Sequence, residues 1–224
     1  MKKILLIFPL ILLITACTQI QAEPVPKVVT VTETVIETIE VENTVKINEL
    51  QDDIARYQAL LKGLNGLLAN VYYGYASNNS YTLEGFTAFS IEYKGKYYLI
   101  TAGHSVENNG TIFTDFKFKA NYGEEWIYPI LLTYKVTKIS PDYAVFYSDK
   151  IDRGFRIGTL KDDPNFVLGT THNNLNVIRD IKYRWGKPGE CGSPLINING
   201  EVIGVYTGYT TDIDIVLEAI DNLE

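Results

Sequence analysis

The chain is poor in the residues that bind metals and build covalent frameworks. It holds two cysteines, two histidines and one methionine in 224 residues. Cys17 and Cys191 cannot make the disulfide framework that staples small exported domains. Two histidines with one spare thiol are too few for a zinc site, and no cofactor is expected. There is no block of Lys and Arg, and the formal net charge is -7, which argues against nucleic acid as a partner. The longest apolar run, Ile4 to Ile14, is too short for a transmembrane span. What is present is a 46% hydrophobic chain with sixteen tyrosines and many Val, Ile and Thr. That is enough for one sizeable core and leans toward strands.

The first residues read as a processing signal. Lys2 and Lys3 precede the apolar run, and Thr15-Ala16 supplies small residues before Cys17. Ile14-Thr15-Ala16-Cys17 resembles the bacterial lipobox. The resemblance implies that residues 1–16 are a signal peptide and that Cys17 is lipidated as the mature N-terminus. The protein would then be exported and membrane-anchored, at the cell surface or on a periplasmic face. The alternative is an ordinary secretory signal with a chance cysteine. With Cys17 lipidated, Cys191 is a lone thiol outside the cytoplasm, and something should justify keeping it there.

Residues 17–45 read as an extended spacer. Pro24 and Pro26 keep its start extended, and the following Val, Thr, Glu and Ile run is rich in β-branched residues. From Lys46 the pattern changes. Ile47, Leu50, Ile54, Tyr57, Leu61, Leu64, Leu68 and Val71 recur in steps of three and four, the seam of a coiled coil over residues 46–72. Such a helix is about 40 Å long, and Gly63 and Gly66 weaken its second half. The seam suits self-association into a homo-oligomer, packing on the chain's own domain, or another partner.

Residues 73–224 have a different texture. Short apolar-alternating runs alternate with turn residues: Thr87–Tyr93, Lys96–Ile100, Thr111–Lys119, Ile127–Val136, Ala144–Tyr147, Leu175–Ile181 and Val202–Tyr206. This suggests an all-β sandwich or barrel. Lys94-Gly95 and Asn199-Gly200 read as hairpin turns. Asp212–Leu223 has helical spacing and reads as a closing helix.

Three motifs stand in order beside these strands. Tyr98-Leu99-Ile100-Thr101-Ala102-Gly103-His104 resembles the strand-then-histidine motif of the trypsin/chymotrypsin family, where Thr-Ala-Ala-His is usual. Asp142-Tyr143-Ala144-Val145 resembles that family's aspartate motif. Gly189-Glu190-Cys191-Gly192-Ser193-Pro194 resembles its Gly-Asp-Ser-Gly-Gly-Pro, with cysteine in place of serine. The resemblance covers about residues 80–223. The spacings, 38 residues from His104 to Asp142 and 49 onward to Cys191, are short for trypsin. They are similar to those of viral chymotrypsin-fold cysteine proteases and bacterial glutamyl endopeptidases.

The resemblance implies a double β-barrel with the active site in the cleft between barrels, and a polypeptide substrate. Cys191 would be the nucleophile, His104 its base and Asp142 the group that orients the imidazole. The backbone N–H groups of Gly189 and Cys191 would form the oxyanion hole. Trp185, Tyr206 and Gly208 fall where the family places its substrate pocket. Tyr206 stands where glutamyl-specific and glutaminyl-specific enzymes carry a histidine, and no acidic residue is at hand to pair with Lys or Arg. An apolar or neutral-polar P1 side chain is therefore expected. His172 reads as a loop residue. Two other readings stay open: an inactive trypsin-like module that binds peptides, and a structural coiled-coil lipoprotein.

Overall fold

A computed structural model describes residues 32–120, 125–159, 166–170, 176–181 and 188–223. The chain divides into two units, residues 1–49 and 50–224. Helix α1, Thr32–Leu68, starts in the first and ends in the second. It begins well before the expected Lys46, so the part of the spacer from Thr32 onward is helical rather than extended. The reason lies in the balance of propensities. β-branched residues cost at most about 0.7 kcal/mol each relative to Ala. Glu33, Glu37, Glu40 and Glu42 are good helix formers, and Glu42 stands four residues before Lys46, a favourable spacing. Among the described residues no helix is long and apolar enough to cross a membrane.

The seam also ends differently. Val71 opens strand β1, Val71–Ser77, and is buried, so the heptads stop with the helix at Leu68. In the last turns Leu60 is buried, and Leu64, Leu67 and Leu68 pack against the same core. Ile47, Leu50, Ile54 and Leu61 are exposed. The β domain thus takes up the helix from Leu60 onward, and every residue from 44 to 59 is exposed.

The β domain has two large sheets. The first runs β6-β1-β2-β3-β8-β7. Its members are β1, β2 (Thr82–Tyr93), β3 (Lys96–Thr101), β6 (Asp115–Ala120), β7 (Ile130–Lys135) and β8 (Tyr143–Tyr147). The short β4 (Glu107–Asn108) and β5 (Thr111–Ile112) pair separately. The second runs β10-β9-β11-β12-β13, from β9 (Phe166–Thr170), β10 (Asn176–Asp180), β11 (Ser193–Ile196), β12 (Val202–Tyr206) and β13 (Thr210–Asp212). Helix α2, Ile213–Asp221, follows, capped by the Asp212 carboxylate, which accepts the Asp214 N–H.

The central strands of the first sheet are buried on both faces with a period of two. Phe89, Ile91, Tyr98, Ile100, Tyr143 and Val145 face the core shared with Val202, Val205 and the α2 residues Val216 and Ile220. Phe86, Ala88, Leu99, Ala144 and Phe146 face the sheet's own interior, with Phe118. The Phe118 ring meets those of Phe86 and Phe146 edge-on at 5.7 and 5.2 Å. Neither sheet closes into the expected barrel among the described residues. The edge strand β6 makes one antiparallel bridge, Phe118 to Ile127, with the segment that leads into the other edge strand, β7. Next to it a cavity of about 730 Å3 is lined by residues of both edges, among them Phe116 on β6 and Ile130 on β7.

Candidate active site

His104 sits in a single 3-10 turn, Gly103–Ser105, directly after β3. Asp142 lies one residue before β8, the neighbour of β3, so the ladder brings the two together from 38 residues apart. The His104 backbone N–H donates to Asp142 Oδ1 at 2.9 Å, and the ring Nδ1 donates to Oδ2 at 2.5 Å. The departure from the usual Ala at position 103 has a local cause. A Cβ on Gly103 would fall 2.1 Å from the Lys135 carbonyl oxygen and 2.8 Å from Asp142 Oδ1. Glycine lets the end of β7 and the carboxylate close on this turn.

Cys191 arrives from the second sheet, in the turn that enters β11. Gly189 and Gly192 on either side adopt φ of +96° and +87°. A Cβ at Gly192 would lie 2.1 Å from the Thr87 carbonyl oxygen. The turn is closed by the Ser193 N–H, which donates to the Glu190 carbonyl at 3.0 Å, and the Ser193 hydroxyl donates to the same oxygen at 2.5 Å. Ser193 is thereby occupied and fully buried, whereas Cys191 is half-buried and a free thiol. Gly192 N–H donates to the Tyr206 carbonyl at 2.7 Å. Among the described residues, neither the Gly189 nor the Cys191 N–H is committed to a backbone carbonyl.

The hydrogen bonds of His104 run to the Asp142 carboxylate, and Cys191 adds its influence on the ionisation of the same imidazole. Its pKa is pushed up to about 10 from the ordinary 6.5. The hydrogen bond to Asp142 is the largest cause, the Cys191 thiol the next, and the charges of both add to it, while burial works the other way. The imidazole is 42% exposed and the Asp142 carboxylate only 5%. The accessible member of the pair is the one that could move a proton.

Of the expected pocket residues, Tyr206 is buried in a cluster with Val167, Leu195 and Ile203, and Gly208 is exposed in the turn between β12 and β13. Trp185, His172 and Cys17 lie outside the described residues. Sequence reasoning missed four buried threonines around the site, Thr87, Thr101, Thr170 and Thr211. Threonine is common in strands, so nothing in its local pattern marks these positions.

With both halves of the site in place, the fold has known counterparts. The chain superposes on the active form of the Rv3671c protease from M. tuberculosis with a TM-score of 0.50 at 17% identity, covering 64% of this chain and 72% of that one. The fold is trypsin-like. The serine endoprotease from Yersinia pestis matches with a TM-score of 0.52 at 15% identity, over 70% of this chain and 63% of that one. The HtrA-type protease AlgW, solved with a tripeptide, matches with a TM-score of 0.52 at 15% identity, over 70% and 60%. No protein-family model and no curated protein matches the sequence. At these identities the property held in common is the trypsin-like fold.

Proposed function

We propose that this chain is a membrane-anchored endopeptidase whose nucleophile is Cys191. The observation that carries the reading is the hydrogen bond of the His104 imidazole to the buried Asp142 carboxylate, with the free Cys191 thiol raising the pKa of the same imidazole, on a fold used by proteases. Cys191 Sγ attacks as thiolate, forming an S–C bond to the scissile carbonyl carbon. The oxyanion is received by the N–H groups of Gly189 and Cys191. His104 delivers its proton to the leaving amine as the C–N bond breaks. A water molecule, deprotonated by the same imidazole, then hydrolyses the thioester and restores the thiol. Asp142 stabilises the imidazolium and fixes the ring so that Nδ1 is not the reacting nitrogen. An apolar or neutral-polar P1 residue is the substrate preference, and a lipid on Cys17 would place this chemistry at a membrane surface.

The test uses the full chain extracted in detergent, with casein as substrate. Cleavage should vanish on iodoacetamide treatment and in Cys191→Ala. Cys191→Ser keeps at most a small residue of activity, because a site built around a thiol need not activate a hydroxyl. Undiminished cleavage by Cys191→Ala would overturn the reading. A cleavage profile dominated by Arg, Lys or Glu at P1 would overturn the specificity.

A further inference from the structure

Two buried threonines cross between the sheets in opposite directions. Thr211 stands on β13, in the second sheet, and is fully buried. Its hydroxyl accepts the Asp142 N–H at 2.9 Å and donates to the Asp142 carbonyl at 3.2 Å, across 69 residues of sequence. Thr87 stands on β2, in the first sheet, and is also fully buried. Its hydroxyl donates to the Gly189 carbonyl at 2.7 Å and accepts the Thr170 N–H at 2.9 Å. Its backbone N–H donates to the Cys191 carbonyl at 3.1 Å. The Thr87 carbonyl in turn accepts the Thr101 hydroxyl at 2.6 Å.

The chemistry of a hydroxyl explains why one residue suffices at each place. It has one proton to give and lone pairs to receive with, so it can satisfy an N–H and a C=O together. Asp142 lies just outside the β8 ladder, whose register with β7 begins at Tyr143 paired with Lys135. Its buried backbone groups need partners, and Thr211 supplies both. The turn around Cys191 likewise lacks ladder partners at Gly189, and Thr87 supplies one. Each threonine therefore belongs to one sheet and holds a site element of the other.

We infer that Thr211 and Thr87 are positioning residues, pins that set Asp142 and the Gly189–Cys191 turn across the junction of the two sheets so that His104 meets both. The inference rests on Cys191, His104 and Asp142 acting as one set. His104 and Asp142 arise on one sheet and Cys191 on the other, so their alignment is a property of the junction. Displacements of about 1 Å in such a set cost on the order of a hundredfold in rate. A hydroxyl buried between the sheets fixes that junction more narrowly than apolar packing, which is non-directional.

The test reads the reaction of Cys191 with iodoacetamide from pH 5 to 9, in the full chain and without substrate. Thr211→Val replaces the hydroxyl with a methyl of similar size and strands both Asp142 backbone groups. Labelling at pH 6 should fall on the order of tenfold or more, and the profile should move to higher pH as His104 loses its hold on Asp142. Thr211→Ser, which keeps the hydroxyl, should restore most of the rate. In an Asp142→Asn background Thr211→Val should add nothing further, which separates a pin acting through Asp142 from general loosening. Thr87→Val should slow labelling, with kcat for casein falling more than KM rises. A folded Thr211→Val with wild-type near-ultraviolet circular dichroism and an unchanged labelling profile would overturn the inference. If Thr211→Val does not fold, amide exchange of Asp142 in the unaltered chain decides. Slow exchange, kept in Thr211→Ser, supports the pin, and exchange as fast as an exposed loop overturns it. Because labelling needs no substrate, absence of casein cleavage would defeat the peptidase reading alone and leave this test intact.

Discussion

Asp142 receives His104 twice, through the backbone N–H on Oδ1 at 2.9 Å and through the imidazole Nδ1 on Oδ2 at 2.5 Å. The first bond fixes where the turn begins and the second engages Nδ1, so that Nε2 is the ring nitrogen left for reaction. Asp142→Asn keeps the shape and removes the charge. The His104 titration, followed by NMR, should then move from about 10 back toward 6.5. Casein cleavage should fall about a hundredfold or more. A titration unchanged in Asp142→Asn would show that the carboxylate is not what holds the imidazolium.

The raised value at His104 also makes a statement about stability. A group whose pKa is higher folded than unfolded binds protons more tightly in the native state. Its stabilising contribution is fully present below about 6.5 and is lost as the pH rises through about 10. His104→Gln should therefore lower Tm most at pH 5–6, and the difference from the unaltered chain should fade between about pH 6.5 and 10. The effect is small, because the ring is 42% exposed and solvent screens it. A difference that grows with pH would reverse the sign and reject the account.

The heptad positions in the exposed part of α1 are proposed to pair with a second copy of the chain. Ile47, Leu50 and Ile54 keep heptad spacing and are each more than half exposed. Light scattering of the detergent-extracted full chain, corrected for bound detergent, should give more than the monomer mass. Leu50→Glu with Ile54→Lys should reduce it to the monomer without lowering Tm of the β domain, since neither side chain is buried there. A monomer before substitution would reject pairing at the concentration used.

Gly63 and Gly66 lie inside α1 with no atom within 4 Å of a Cβ built on either. Each change to Ala should raise stability by about 0.5–1 kcal/mol, from helix propensity alone. Leu60→Ala, where the same helix begins to pack on the core, should cost about 2–4 kcal/mol. Urea unfolding measures all three, and a destabilised Gly63→Ala would mean that the helix is not the state being stabilised.

The proposed anchor is checked by mass. Chain extracted from membranes should begin at an acylated Cys17, and Cys17→Ala should release the protein or leave its signal uncleaved. Unchanged membrane partition of a cleaved Cys17→Ala chain would reject lipidation.

His104, Asp142 and Cys191 were legible as candidates in the sequence because each stands in a short motif whose chemistry is local. A strand runs into Thr101-Ala102-Gly103-His104, an aspartate opens a strand, and glycines flank a cysteine at a tight turn. Val202–Tyr206 and the Lys94-Gly95 hairpin were legible for the same reason, since an apolar run bounded by the Asn199-Gly200 turn and positive φ at Lys94 and Gly95 depend on neighbours in the chain. The strands β1, β9, β11 and β13 were not. They are short, several are buried on both faces, and without alternation a strand has no period to read. The helical start at Thr32 was hidden by β-branched residues whose individual costs are smaller than the gain from extending an existing helix. The packing of α1 from Leu60 onward, the burial of Tyr206 and the threonine pins were decided by tertiary structure alone. Those pins join positions 69 and 102 residues apart, Asp142 to Thr211 and Thr87 to Gly189. A hydroxyl gains its partner there only when two sheets close on each other, and no local pattern records which threonine will be at the junction.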